Sequence, residues 1–595
     1  MLTEIIGGPN PFEIPLVPSR LLPNGNTPNP VLPQTWHFRQ SIDYSVSMNY
    51  AVMKYAARHR DEVLYNIYRM GRNSIEKGEQ DTWSFSPSKI DAINKSHAAE
   101  VAANNNQNTS QFGGRSRMDI KHLENVITDP EYRDPRGYII PADQVDFPTS
   151  VKFLNSLIRT GVVVHRATAD FTVEGKDYKR GSYVVKLDQA FRPHVLDMFE
   201  PQDHPNDFQY EGGPPIPPYD AAGWTPAYLM NVKFTRFQDD FTGPFEKLPH
   251  GQLLEVPQSQ LPSARSYMLS AQANDSYKVV NELLSQGIRV TRDNQTGDFI
   301  LPANTKNTKA LGELVNETGI RVESHSSTSN QTAPISLSRI ALWDTYGGSM
   351  PSGWVRWISE QYGFGMEQIF VPEIDQGQLN DKYDVIVFVG GAIPAVGQGG
   401  GGFMGGGNAQ QIPANIPSEH HYRWGRISAD KSIPALKEFL EKGGKIVTIG
   451  TSSNLAEHLD LPVKNALVEL VNGVERPLSN EKYFTPGSVL QAKVATEHPA
   501  NWGMEEYTDV YFNRSPVFRL TTDAIANGTV KPLLWFDSAT PLRSGWSWGQ
   551  SYLEDGVAAY EAKVGNGKLY VFGPEITFRA QAHGTFKLLF NQLYK

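Results

Sequence analysis

The run Tyr383-Asp-Val-Ile-Val-Phe-Val389 constrains this chain more than any other stretch. Its apolar residues are consecutive instead of alternating, which predicts a strand buried on both faces. Such strands belong to parallel sheets covered by helices on either side. The neighbouring sequence has the matching punctuation. Arg339-Ile-Ala-Leu-Trp343 is a predicted strand, and residues 351–362 are a predicted helix with Ser349 and Pro351 in cap-like positions. Residues 433–442 form a second helix, stopped by Gly443-Gly444 and followed by a strand at 445–449. A strand at 568–572 and a helix at 585–594 close the chain. Alternation at this spacing implies a doubly wound parallel sheet over residues 336–595, with a strand-rich extension at 480–560. The glycine-dominated stretch 397–407 is expected to be a mobile surface loop.

A chain of 595 residues is too long for one core. The expected fold class is multidomain α/β, with βαβ-type units preceding the parallel-sheet domain. Eight prolines between residues 9 and 36 favour extended chain. From Gln40, apolar residues at three- and four-residue spacing (Ile42, Val46, Tyr50, Met53, then Val63, Leu64 and Ile67) predict one long helix or two abutting ones, ending near Gly71. Residues 1–78 are read as one segment and the polar residues 79–135 as a flexible connector with a short helix at 87–103. Two similar α/β units follow, at 136–260 and 261–335. Gly-Tyr-Ile-Ile-Pro-Ala-Asp-Gln at 137–144 can be laid over Ser-Tyr-Met-Leu-Ser-Ala-Gln-Ala at 266–273. Each is followed by a helix, a glycine (Gly161, Gly287) and a short strand, so two related units sharing one sheet are expected.

Composition removes several function classes. A net charge of −9 argues against a general nucleic-acid binder. No window holds the roughly 18 apolar residues needed to span a bilayer. With no cysteine, disulfides, thiolate metal sites and thiol nucleophiles are excluded.

Three places could carry chemistry. The first is Glu4, a carboxylate at the end of the apolar run before Gly7-Gly8-Pro9. Leu2-Thr-Glu-Ile-Ile-Gly7, Leu16-Val-Pro-Ser-Arg-Leu-Leu-Pro23 and Trp36-His-Phe-Arg-Gln-Ser-Ile-Asp-Tyr44 resemble the zinc carboxypeptidase family (carboxypeptidase A-like) in its large bacterial multidomain members. The similarity continues through Phe191-Arg-Pro-His-Val-Leu-Asp197, Trp343-Asp-Thr-Tyr-Gly-Gly-Ser349 and Phe578-Arg-Ala-Gln-Ala-His-Gly-Thr-Phe586. The resemblance implies hydrolysis of peptides or proteins at their C-termini, an extracellular or periplasmic location, and a general-base role for Glu4 beside a zinc-bound water. It also implies that the family's zinc ligands and substrate-binding Arg and Asn precede this element. The chain is therefore expected to be the C-terminal part of a zinc-containing parent, holding no zinc and inactive alone. His59-Arg-Asp-Glu62 has zinc-ligand spacing but reads as a solvated helix face, and Glu419-His420-His421 adjoins a loop. The alternative is a non-catalytic α/β protein recognising peptide or carbohydrate.

The second place is the turn Gly450-Thr-Ser-Ser-Asn454. The last domain resembles the flavodoxin-like, class I glutamine amidotransferase-like superfamily, which implies a flavodoxin-like fold and whose active members place a Cys at such a turn. This chain has no Cys, so that activity is excluded and Ser452 reads as a turn residue. The third is the loop Asp344-Thr-Tyr-Gly-Gly-Ser349, at the carboxyl end of a predicted parallel strand and before a helix N-terminus. Asp344, Gly347, Gly348 and Ser349 are candidate ligand-binding residues for a carboxylate or sugar hydroxyls.

Overall fold

The structure, a computed structural model, describes residues 5, 8, 10–25, 27–103, 118–326, 331–397, 412–414 and 416–595. Glu4, the centre of the glycine-rich loop and residues 104–117 lie outside the described residues. The chain divides into two units, residues 1–76 and 77–595.

In the first unit, strands Phe12–Ile14 and Gln34–Trp36 pair antiparallel. Helix Phe38–Arg58 follows, and the His37 N–H donates to Gln40 Oε1 at 2.8 Å at its start. A second helix, Arg60–Gly78, continues it after a break at His59. The expected apolar stripe is there, but its residues are exposed, among them Ile42, Tyr50, Met53, Leu64 and Ile67. Periodicity specifies the face of a helix; a second layer must still be supplied to bury it.

In the second unit, the described parts of the expected connector are pinned, while its expected flexible centre lies outside the described residues. Its helices Pro87–Ala103 and Lys121–Thr128 are joined by Glu100, which meets His122 Nε2 at 2.7 Å and Lys121 Nζ at 2.5 Å. Asp134 is buried and accepts hydrogen bonds from Ser84 N, Ser84 Oγ and Arg192 Nη2. A polar segment can be ordered in this way when its charges are satisfied internally.

The two similar segments share one topology but not one sheet. In the first, Gly137–Ile140 leads through helix Phe147–Arg159 to His165–Ala167, then Tyr183–Lys186, Thr235–Phe237 and Phe245–Lys247. If these five strands are ranked by chain order, the sheet order is 4-1-3-2-5. In the second, Ser266–Leu269, helix Asn274–Ser285, Thr291–Asp293, Phe299–Pro302, Val322–His325 and Thr332–Pro334 give the same 4-1-3-2-5. All pairings are antiparallel. Because the third strand lies between the first two, each unit is a split βαβ on a five-stranded sheet of its own, correcting the shared-sheet expectation.

The last domain is doubly wound. Met366–Ile369, Ile340–Trp343, Val385–Phe388, Lys445–Ile449 and Gly567–Phe572 lie side by side and parallel, in the order 2-1-3-4-5. Helix Met350–Tyr362 starts at Ser349, whose side chain accepts from Ser352 N, and ends at Gly363 in the left-handed region (φ +71°). The expected extension joins the same sheet. Val557–Val564 pairs antiparallel with Gly567–Phe572, and Val530–Trp535, Ser488–Val494 and Tyr507–Phe512 continue outward. Mixed parallel and antiparallel character in one large sheet is common.

Leu569 lies at the centre of this junction, fully buried, with Ile446 and Ala562 as its neighbours across the two ladders. Leu569→Ala is expected to lower the stability of the last domain by about 2–5 kcal/mol. Urea denaturation followed by tryptophan fluorescence should show a lower midpoint with an unchanged slope.

Candidate functional site

In open α/β sheets, ligands lie outside the carboxyl ends of the parallel strands. Here that edge is formed by four loops, one after each of Ile340–Trp343, Val385–Phe388, Lys445–Ile449 and Gly567–Phe572.

The first loop holds the residues singled out from sequence. Asp344 is buried, and its carboxylate is turned back on its own loop. Oδ1 accepts from Thr345 N and Ser349 N, both at 2.8 Å, and Oδ2 accepts from Gln368 Nε2 at 2.7 Å. Asp344 therefore occupies the anion position that the helix N-terminus would otherwise offer a ligand. Ser349 caps that helix. Gly347 and Gly348 have φ of +88° and +83°, and a Cβ at either would meet nothing within 4 Å, so their requirement is conformational. Tyr346 lies 6.2 Å, ring to ring, from both His420 and Trp424. His421 Nε2 is 3.0 Å from Ile416 O, within the short helix Ser418–Arg423.

The second and third loops are stitched together. Ser452 is buried, donates to Val389 O at 2.5 Å and accepts from Ile393 N at 3.3 Å. Thr451 Oγ1 accepts from Gly391 N at 2.8 Å, and Asn454 Nδ2 donates to Ile393 O at 3.0 Å. Ser452 is thus a fastener between two loops, with its hydroxyl proton committed to a carbonyl.

The fourth loop brings a residue that sequence reasoning missed. Glu575, in Gly573-Pro-Glu575, packs into the angle between the second and third loops. A Cβ on Gly450 (φ +60°) would stand 2.7 Å from Glu575 Oε1, and one on Gly390 would stand 3.1 Å from it. Glycine at both positions lets the loops close on the carboxylate. The residue retains some exposure, yet its Oε2 is covered and has no hydrogen-bond partner among the described residues. Burial with no compensating charge pushes its carboxyl up to about 7 from an ordinary 4.5. Its own N–H donates to Tyr511 O at 3.0 Å.

The backbone just beyond is strained. Arg579 and Ala580 both have positive φ, at 51° and 53°. Arg579 Nη2 donates to both carboxylate oxygens of Asp220, at 3.0 and 2.8 Å, and its guanidinium lies over Trp224 and Phe578. Phe578 stacks on Tyr511 with centroids 3.5 Å apart. These contacts hold the loop that carries Glu575.

Glu4 lies outside the described residues. His59 Nδ1 sits 3.2 Å from Glu62 Oε2 on an exposed helix face, and among the described residues no group of three His, Asp or Glu side chains converges. These residues do not fit a zinc site. No helix of the described residues is long and apolar enough to cross a membrane.

No protein-family model and no curated protein matches the chain. Among solved structures, similarity extends to a ThuA-like protein from Bacteroides uniformis (11% identity, 42% of this chain and 88% of that one, TM-score 0.25). It also extends to a cytoplasmic protein from Salmonella typhimurium (15%, 43% and 98%, TM-score 0.24). A β-galactosidase from Bacillus circulans sp. alkalophilus aligns at 11% identity over 46% of this chain, with a TM-score of 0.23, and the chain spans about a third (33%) of its length. At these scores none of them bears on function.

A carboxyl with a raised pKa lowers stability once the unfolded chain can ionise. The folded protein binds more protons between 4.5 and about 7, so stability falls as pH rises through that window and levels off above it. Glu575→Gln is expected to remove this dependence, gaining on the order of 3 kcal/mol over the native chain at mildly alkaline pH and almost nothing near pH 4. Paired urea titrations across that range check it.

Proposed function

We propose that this chain is a ligand-binding α/β region of zinc-carboxypeptidase lineage that does not itself hydrolyse peptides. Its loop junction at Gly390, Gly450 and Glu575 takes a small ligand carrying an amino group. One observation carries the binding part: a carboxylate oxygen covered by protein, without a partner, at the edge where such sheets bind ligands. A buried carboxylate in that state gains most from a ligand that brings its own positive charge and N–H donors. In a parent acting on peptides, the α-amino group of a peptide is the natural candidate. The lineage is supported by the sequence resemblance alone. The non-hydrolytic part draws on Ser452, whose hydroxyl is committed to Val389 O.

Isothermal titration with trialanine tests the reading. Saturable binding is expected, weakened about tenfold or more both by Glu575→Gln and by N-acetylating the peptide. Binding an ammonium ionises Glu575, so proton release should accompany it near neutral pH and affinity should rise through pH 7. Equal binding by Glu575→Gln would contradict the proposal. Incubation of the chain with trialanine and added zinc is expected to release no alanine; release would contradict the non-hydrolytic part.

A further inference from the structure

A second site lies away from the parallel-sheet edge, in an open cleft of about 950 Å³ between the start of helix Pro87–Ala103, residues 203–206 and residues 539–551. Aromatic faces and hydrogen-bond acceptors line it together, and no Lys or Arg does.

Trp548 is the platform. It is 37% exposed, yet firmly held: its backbone N–H and C=O both pair with Phe484, at 2.9 and 3.0 Å, and its indole N–H donates to Glu481 O at 2.8 Å. The next residue, Gly549, has φ +67°, and a Cβ there would come within 2.0 Å of Lys482 O, so the turn presenting the indole requires glycine. Trp546 is buried behind it, stacked on His204 at 5.1 Å, with its N–H given to Asn206 Oδ1 at 2.9 Å. Phe85 contributes a second open ring, 61% exposed.

The polar groups are disposed to accept. Asp91 has no hydrogen-bond or ion-pair partner among the described residues. Asp203 uses only Oδ2, which accepts from Ser88 N at 2.8 Å. Gln550 accepts from Leu542 N through Oε1, leaving its NH2 for a ligand.

These features select a ligand class. With two carboxylates and no cation, phosphate, carboxylate and nucleic-acid ligands are repelled. A proline-rich peptide offers carbonyls that need donors from the groove, and both indole N–H groups are already committed inside the protein. A pyranose meets both demands: its C–H face packs on an exposed aromatic ring, and its hydroxyls donate to carboxylates and also accept from amide NH2 groups. We infer that this cleft binds a neutral oligosaccharide, with Trp548 as the stacking platform and Asp91 and Asp203 as hydroxyl acceptors.

Tryptophan fluorescence and calorimetric titration of the full chain with cellohexaose, xylohexaose, mannohexaose, maltohexaose and chitohexaose test this. At least one is expected to bind saturably. Trp548→Ala should weaken that binding by about tenfold or more and Asp91→Asn by about fivefold. Asp91 is exposed and unpartnered, so its variant tests the site even if Trp548→Ala misfolds. Glu575→Gln should leave sugar binding unchanged, separating this cleft from the sheet-edge loop junction. Failure of all five sugars to bind, binding unaffected by Asp91→Asn, or preferential uptake of decaproline would overturn the inference.

Discussion

The strand Gly567–Phe572 holds the larger unit together. On one side it pairs parallel with Lys445–Ile449 over five residues, and on the other antiparallel with Val557–Val564 over six. Without it the parallel strands and the antiparallel extension would be two sheets, each with an open edge. Leu569, Val571 and Phe572 are fully buried between the layers. The strand also leads the chain into Gly573-Pro574-Glu575, so the ladder that unites the sheet delivers the candidate carboxylate to the loops at Gly390 and Gly450.

The split βαβ units are tied to this sheet by polar contacts in which at least one partner is buried. Lys152 of the first unit meets Asp275 of the second at 2.8 Å, and its Nζ also reaches Tyr362 of the last domain at 3.3 Å. Lys587, buried near the C-terminus, donates to Asn274 Oδ1 at 3.1 Å. Arg292 donates to Tyr277 and Asn591 and lies over Trp502 and Phe299. Removing one partner of such a contact leaves the other buried and uncompensated, so these links fix how the units meet more than they add stability.

Much of the fold was legible in the sequence for local reasons. Apolar continuity marked Val385–Phe388 as a strand buried on both faces, and Gly443-Gly444 marked the end of its neighbouring helix; both features depend on residues near in sequence. The repeated strand–helix–glycine pattern pointed to two related units, although their separate sheets depend on pairings that no local pattern encodes. The candidate site was less legible. Asp344 and Ser349 could be placed at a strand's carboxyl end, but that Asp344 satisfies its own loop depends on side-chain direction. Glu575 was invisible because its significance arises from Gly390 and Gly450, brought close by sheet order alone. Gly-Pro-Glu reads as an ordinary turn. The cleft around Trp548 was equally hidden, since its walls come from segments more than a hundred residues apart.

At the junction of the sheet-edge loops Glu575 is a covered carboxyl group without a compensating charge among the described residues. Carbon-13 NMR of glutamate side-chain carboxyls, with the Glu575 signal identified by its loss in Glu575→Gln, reads that state directly. A titration midpoint near 7 is expected for this one resonance in the free protein, moving downward when trialanine is bound. A midpoint at the ordinary 4.5 in the free protein would contradict it.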